Sequence, residues 1–247
     1  MIIDERMVAF INSFDKGNTP FLNEIEKYAL ETEVPIVRKE MQNFMKFLLQ
    51  MHRPKRILEV GTAIGFSALL MNEYGPAGCH ITTIEKYEKR IPIAVANLLR
   101  AGKFDEKGSV LTSCDLESIK MLNAEASETQ DGSITLIEGD ALDVLKSLEG
   151  SYDLIFMDAA KGQYIHFLPD ILRLLPEGGL LLSDNVLQDG DVLQSRFAVA
   201  RRNRTIHARM REYLYTLTHH DALVTTILPV GDGITMSVKR TSEGKKA

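Results

Sequence analysis

The chain has 247 residues, 45% apolar and 26% charged, which excludes global disorder and suits one α/β domain of the larger kind. Its 29 basic and 34 acidic side chains leave a net charge of −5, so a surface basic throughout is excluded, though a local basic patch is not. Cys79 and Cys114 are too few for a disulfide framework or a four-cysteine zinc site, and no apolar run of about 18 residues offers a membrane span.

The opening residues Met1, Ile2, Ile3, Asp4, Glu5 and Arg6 lack the basic start and apolar stretch of a signal peptide. A cytoplasmic protein with free thiols is therefore expected. Residues 1–55 read as helical: Phe21, Leu22, Ile25, Tyr28 and Ala29 repeat at helical spacing, as do Met41, Phe44, Met45, Leu48 and Leu49, with Pro35 between. From Arg56 the texture changes. Short apolar runs at 56–61, 80–85, 133–138, 152–158 and 179–184 read as buried strands, separated by helical stretches at 67–74, 86–100, 141–148 and 163–175. That alternation predicts right-handed crossovers and a doubly wound, Rossmann-like α/β fold with a mostly parallel sheet. A long helix is predicted over about 192–217. Two β-rich runs, 222–229 and 234–239, then flank Val230-Gly231-Asp232-Gly233 and read as a hairpin, an antiparallel edge of the sheet. Residues 104–132 are too long for an ordinary α/β connection. They read as a polar surface insertion with a short helix capped by Asp115, inside a single domain spanning 1–247. Residues 241–247 are expected to fray.

The most informative stretch is Glu59-Val60-Gly61-Thr62-Ala63-Ile64-Gly65-Phe66-Ser67. It puts a glycine turn at the end of the first strand and opens a helix, where a ligand can approach the backbone. It is not G-x-G-x-x-G, since Ala63 takes the second glycine's place, and no G-K-[ST] follows. Glu85 closes the next strand, where an acid can accept from both hydroxyls of a ribose. Asp140, in Glu138-Gly139-Asp140-Ala141, can accept from an adenine amino group or cap the following helix. Three polar positions at three strand ends favour one adenosine-containing ligand. Asp158 and the pair Asp184-Asn185 end the last two parallel strands. Their two carboxylates and one amide oxygen are hard donors suited to Mg²⁺ or another oxygen-seeking divalent cation. With no H-E-x-x-H and no C-x-x-C, zinc is not expected. Ser67 lacks the second glycine of a nucleophile elbow. Tyr164 and His166 read equally as acceptor-pocket residues or as a packed tyrosine and a surface histidine.

Taken jointly, E-x-G-T-x-x-G-x-S, Glu85, Gly139-Asp140-Ala141, Asp158-Ala159-Ala160-Lys161 and Asp184-Asn185 resemble the class I S-adenosylmethionine-dependent methyltransferases. Within these the pattern is similar to the metal-dependent catechol and caffeoyl-coenzyme A O-methyltransferases, over roughly residues 34–239. Residues 104–132 depart from the usual short connection. The resemblance implies that Val37, Glu59, Gly61, Ser67, Glu85, Asp140, Ala141 and Asp158 contact S-adenosylmethionine. It implies that Asp158, Asp184 and Asn185 hold the cation. It makes Lys161 the general base, aided by Asp158, since a lysine near a divalent cation has its charged form disfavoured. It also implies a homodimer formed through the leading helices.

The acceptor must offer two neighbouring oxygens, as a catechol does, and as 5-hydroxyuridine does through its hydroxyl and adjacent carbonyl. Arg196, Arg201, Arg202, Arg204, Arg209 and Arg211 lie in a stretch with no acid between Val192 and Arg211. Such a concentration suits phosphate. Together with Asp-Ala-Ala-Lys-Gly-Gln-Tyr and Arg-Arg-x-Arg-Thr-Ile it resembles the bacterial tRNA 5-hydroxyuridine methyltransferases. That implies tRNA as partner, bound through Arg201, Arg202 and Arg204. A small catechol-like or caffeoyl-coenzyme A-like acceptor is the alternative.

Overall fold

The computed structural model describes residues 4–102, 110–112 and 133–241. Three helices lead: α1 (Glu5–Asn12), α2 (Pro20–Glu31) and α3 (Lys39–His52). α2 begins where the Thr19 hydroxyl accepts the Leu22 N–H and Pro20 occupies the first turn, whose N–H groups lack helical partners anyway. Met41, Met45, Leu48 and Leu49 form the buried stripe of α3, one side of a helix at 3.6 residues per turn.

The remainder alternates: β1 (Arg56–Val60), α4 (Phe66–Tyr74), β2 (His80–Glu85), α5 (Ile91–Arg100), β3 (Val110–Thr112), β4 (Ile134–Glu138), α6 (Ala141–Ser147), β5 (Leu154–Met157), α7 (Tyr164–Leu174), β6 (Leu180–Ser183), α8 (Arg204–Thr218), β7 (Leu223–Leu228) and β8 (Ile234–Lys239). Among the described residues these strands form one sheet in the order β3-β4-β2-β1-β5-β6-β8-β7. Every pairing is parallel except β8 with β6 and with β7. The expected fold class is thus the observed one.

Successive residues of each parallel strand serve opposite faces. Ile57, Ile81, Leu136, Phe156 and Leu182 pack under α2, α3, α4 and α5. Leu58, Ile84, Ile137, Ile155 and Leu181 pack under α6, α7 and α8. Both faces are covered, which explains strands of unbroken apolar character. The chain leaves β1 in one direction and returns to its other side at β5. The crevice between the ends of β1 and β5 is therefore the switch point where ligands bind in such sheets. No helix among the described residues is long and apolar enough to cross a membrane.

Three expectations change. Part of the expected insertion is a sheet edge: Val110–Thr112 pairs with Leu136–Glu138. Cys114 and the helix expected at Asp115 lie outside the described residues. The helix expected over 192–217 starts only at Arg204, after 3₁₀ turns at Gln188–Leu193 and Arg201–Asn203. Gln194 (φ −81°, ψ 164°) and Ala200 (φ −51°, ψ 136°) have extended backbone, which a helix cannot continue through. Finally, α5 begins at Ile91, after a turn in which the Glu85 carboxylate accepts the N–H groups of Lys86 and Tyr87.

Candidate active site

A cavity of about 520 Å³ opens at the switch point, a size ordinary for a small-molecule site. Val37, Gly61, Ser67, Glu85, Asp140, Ala141, Asp158, Lys161 and Asn185 all line it. Residues spread along the chain from Val37 to Asn185 are brought together, most of them because every parallel strand delivers its carboxyl end to the same edge.

Gly61 has φ 109°, and a Cβ there would lie 2.2 Å from the Asp158 carbonyl oxygen. Only glycine lets the ends of β1 and β5 come this close. Glu85 is organised by backbone donors: Ala63 N–H at 2.8 Å to one oxygen, Lys86 and Tyr87 N–H at 2.9 and 2.8 Å to the other. A carboxylate has about four acceptor directions, so about one remains for a ribose hydroxyl. Asp140 caps α6 by accepting the Leu142 N–H at 3.0 Å and pairs with Lys86 Nζ at 3.0 Å. Both contacts, the first the stronger, hold its carboxyl below the usual carboxylate range. Its cap reading holds, and its side chain still borders the cavity.

Glu59 sits behind the cavity wall, fully buried, with Ser67 between it and the cavity. The hydroxyls of Thr83 and Ser67 donate to it, and Thr62 contacts Thr83 at 2.6 Å. Its Oε1 has no hydrogen-bond partner. Burial, only partly offset by those hydroxyls, pushes its carboxyl up to about 7. An orphaned buried oxygen beside the cavity fits a cationic group, and S-adenosylmethionine carries two, its amino group and its sulfonium.

At the other end, Asp158 Oδ1 accepts from Asn185 Nδ2 at 3.0 Å, and Asp184 Oδ1 accepts the Asn185 N–H at 2.7 Å. Burial raises both carboxyls. Lys161 and Asn185 oppose the rise at Asp158, whereas the Asp158 charge adds to it at Asp184. Two adjoining carboxylates, Asp184 buried and Asp158 half-buried, and an amide oxygen fit a divalent cation, which would relieve that repulsion. No group of three or more His, Cys, Asp or Glu side chains suited to a metal occurs among the described residues, so the fit rests on this mixed set. Asn185 itself is left-handed, φ 59°, and the Tyr164 hydroxyl lies 3.1 Å from the carbonyls of both Met157 and Asp184, bracing the ends of β5 and β6. Tyr164 is therefore a packed tyrosine, and His166 is on the surface.

Lys161 stands in the 3₁₀ turn Lys161–Gln163, with Nζ 3.4 Å from Asn185 Oδ1 and 3.5 Å from Asp232 Oδ2. Asp232 was not foreseen: an acid between two glycines in a hairpin turn has ordinary turn composition. Pro35, Ile36, Tyr87, Arg90 and Gln163 also line the cavity without a sequence signal that singled them out. Of the six clustered arginines, three are tied to backbone carbonyls: Arg204 to Val199 and Phe197, Arg209 to Gly162, Arg211 to Val192. Arg196, Arg201 and Arg202 are exposed.

Residues 13–131 and 126–240 match the family described as O-methyltransferase. A catechol O-methyltransferase from Niastella koreensis is 28% identical over 77% of this chain and 70% of its own length. One from Mycobacterium tuberculosis is 29% identical over 75% and 73%. Caffeoyl-CoA O-methyltransferase 1 of Eucalyptus globulus is 28% identical over 78% and 70%. Among solved structures, the SAH-bound methyltransferase PaMTH1 of Podospora anserina superposes with TM-score 0.76 at 25% identity, over 96% of this chain and 95% of that one.

Proposed function

The chain belongs to the O-methyltransferase family, as a S-adenosylmethionine-dependent enzyme of the catechol and caffeoyl-CoA type, and from that premise we propose that it requires a divalent cation and methylates 5-hydroxyuridine in tRNA to 5-methoxyuridine. The observation that carries the chemistry is Lys161 Nζ, 3.4 Å from Asn185 Oδ1, in the same cavity as Gly61, Ser67 and Glu85. Lys161, the Asp158 carboxylate, the Asn185 amide and the Glu85 acid border one cavity, with buried Asp184 held just behind it by the Asn185 N–H.

Bound there, S-adenosylmethionine supplies an electrophilic methyl group on sulfur. Glu85 would accept from a ribose hydroxyl with its remaining lone pair, and Asp140 would border the adenine. Ser67, backed by the Glu59 charge, faces the amino-acid end. Asp158, Asp184 and Asn185 would hold the cation, whose fixed positive charge steadies an oxyanion and orients neighbouring oxygens. Lys161 would take the proton of the acceptor hydroxyl, leaving the oxygen free to accept the methyl group that the cofactor supplies. Holding the two reactants in line is itself a large part of the expected acceleration.

For the acceptor, the support lies beside Lys161. Arg209 Nη1 donates to the Gly162 carbonyl at 3.0 Å, so the arginine-rich segment leads into the loop that carries the base. Arg201 and Arg202, exposed in the 3₁₀ turn before α8, would be the residues that meet phosphates. The likeness to catechol and caffeoyl-CoA O-methyltransferases favours the second reading, a small catechol or its coenzyme A ester. Labelled-methyl transfer decides between them, using tRNA bearing 5-hydroxyuridine, the same tRNA bearing uridine, and a free catechol. Incorporation into the first alone supports the tRNA reading. Efficient transfer to the catechol with none to either tRNA establishes the alternative. Exposed Phe10, Phe14, Phe47 and Met51 on and beside α1 and α3 support the further reading that two copies pair, which sedimentation would measure.

A further inference from the structure

We propose that Asp232 is a positioning residue for methyl transfer: from the turn between β7 and β8, its carboxylate accepts from Lys161 Nζ, aims that nitrogen at Asn185 and fastens it to the strap that follows β6. This rests on the proton-accepting role given to Lys161 above.

Each oxygen of Asp232 has a separate partner. Oδ1 accepts the backbone N–H of Asp189, and Oδ2 lies 3.5 Å from Lys161 Nζ. The Asp232 side chain is 2% exposed and that of Lys161 35%. The strap is Gln188-Asp189-Gly190, three successive residues with φ of 52°, 51° and 95°. Non-glycine residues hold that region only where surroundings impose it. The hairpin turn imposes it here: Leu187 N–H donates to the Asp232 carbonyl, Val186 N–H to that of Gly233, and Leu187 packs so tightly on Gly233 that a Cβ there would lie 2.2 Å from its Cγ. Arg38 closes the far side with a 3.0 Å ion pair to Asp189, next to Val37 on the cavity wall.

Holding the strap does not require a charge. An asparagine oxygen would accept the Asp189 N–H equally well, without the desolvation that a buried carboxylate suffers. The negative charge makes sense through Lys161, whose long flexible stem needs fixed partners to point one way. Asn185 Oδ1 supplies one and Asp232 Oδ2 the other.

The test is a double-mutant cycle on the full-length enzyme, with labelled S-adenosylmethionine and both a free catechol and 5-hydroxyuridine tRNA as acceptors. Asp232→Asn keeps the shape and the bond to Asp189 while removing the charge. Expected are a kcat lower by roughly 10- to 100-fold, an acceptor KM and a cofactor Kd within about twofold of wild type, and no further loss when the change is made in Lys161→Ala. Asp232→Glu, which keeps the charge, should retain more kcat than Asp232→Asn. It carries the cycle if the asparagine variant does not fold, since its loss must likewise vanish in Lys161→Ala. Equal losses with and without Lys161, or asparagine outperforming glutamate, overturn the positioning role and leave Lys161 as base. An unchanged kcat for Lys161→Ala alone removes the base and this proposal together.

Discussion

Glu59 gives the sharpest test of the electrostatics, because its effect can be read without any acceptor. Its carboxyl is fully buried in the folded chain and pushed up to about 7, against an ordinary value of 4.5. A carboxyl with a raised folded-state value favours folding below about pH 4.5 and progressively loses that contribution as pH rises through about 7. At 1.36 kcal/mol per unit, wild type should lose about 2.5 kcal/mol between about pH 5 and pH 8 relative to a chain with no titrating group there. Glu59→Gln is that chain. Its oxygen can still accept from Thr83 and Ser67, though its amide N–H groups face the place where Oε1 already lacks a partner. A constant offset between the two proteins is therefore expected, and the informative quantity is how that offset changes with pH. For a chain of this length, about 2.5 kcal/mol corresponds to roughly 5–10 °C in Tm. Thermal melts of both proteins, freed of S-adenosylmethionine, at several pH values measure it. Parallel Tm curves from pH 5 to 8 would refute the account, showing that Glu59 is either ionised throughout or solvated.

Glu85→Ala should weaken S-adenosylmethionine binding by about 1–3 kcal/mol in calorimetric titration, the scale for losing hydrogen bonds to a charged acceptor; an unchanged Kd takes Glu85 out of the site. Asp184→Ala should abolish transfer while leaving most cofactor affinity, and EDTA should do the same to wild type, with activity restored by Mg²⁺; full turnover in EDTA contradicts the cation requirement. Gly61→Ala should lose about 4 kcal/mol or more, because the new Cβ meets the Asp158 carbonyl at 2.2 Å in a backbone conformation alanine avoids, and a wild-type melt would show that β1 and β5 can separate there. Replacing the exposed pair, Arg201→Ala with Arg202→Ala, should reduce the salt dependence of tRNA binding by about two counterions, and an unaltered slope would put the phosphates elsewhere.

Strand ends were the most legible part of the molecule. Glu85, Asp140, Asp158 and Asn185 could be placed from sequence because a parallel sheet buried on both faces writes each strand as an apolar run, and the polar residue that stops the run is the one delivered to the edge. What stayed hidden was set by contacts rather than by period. Val110–Thr112 is three residues long and only half-buried at Leu111, too little for a pattern. The apolar spacing of Val192 and Val199 mimics a helix, although each is buried from an irregular segment with left-handed turns. Glu59 could be assigned to the cofactor region, but not to a layer behind Ser67, since that depends on the side-chain order Thr62, Thr83, Glu59, Ser67 across two strands. Arg204, Arg209 and Arg211 look in sequence like Arg201 and Arg202, and only the backbone carbonyls they meet separate structural arginines from exposed ones.

The reversed direction of the last strand also fixes how the protein can be handled. β8 enters beside β6 at Ser183↔Thr235 and leaves at Leu180↔Val238, so it begins at the cavity edge and ends at the opposite edge of the sheet. Arg240 consequently emerges on the side remote from Lys161, hydrogen-bonded to Ala222. A fluorophore, affinity handle or surface anchor attached beyond that point would hold the molecule with its cavity turned outward. One joined within residues 229–233 would instead occupy the turn that grips Lys161. The polarity of a single strand thus separates the attachment point that spares turnover from the one that blocks it.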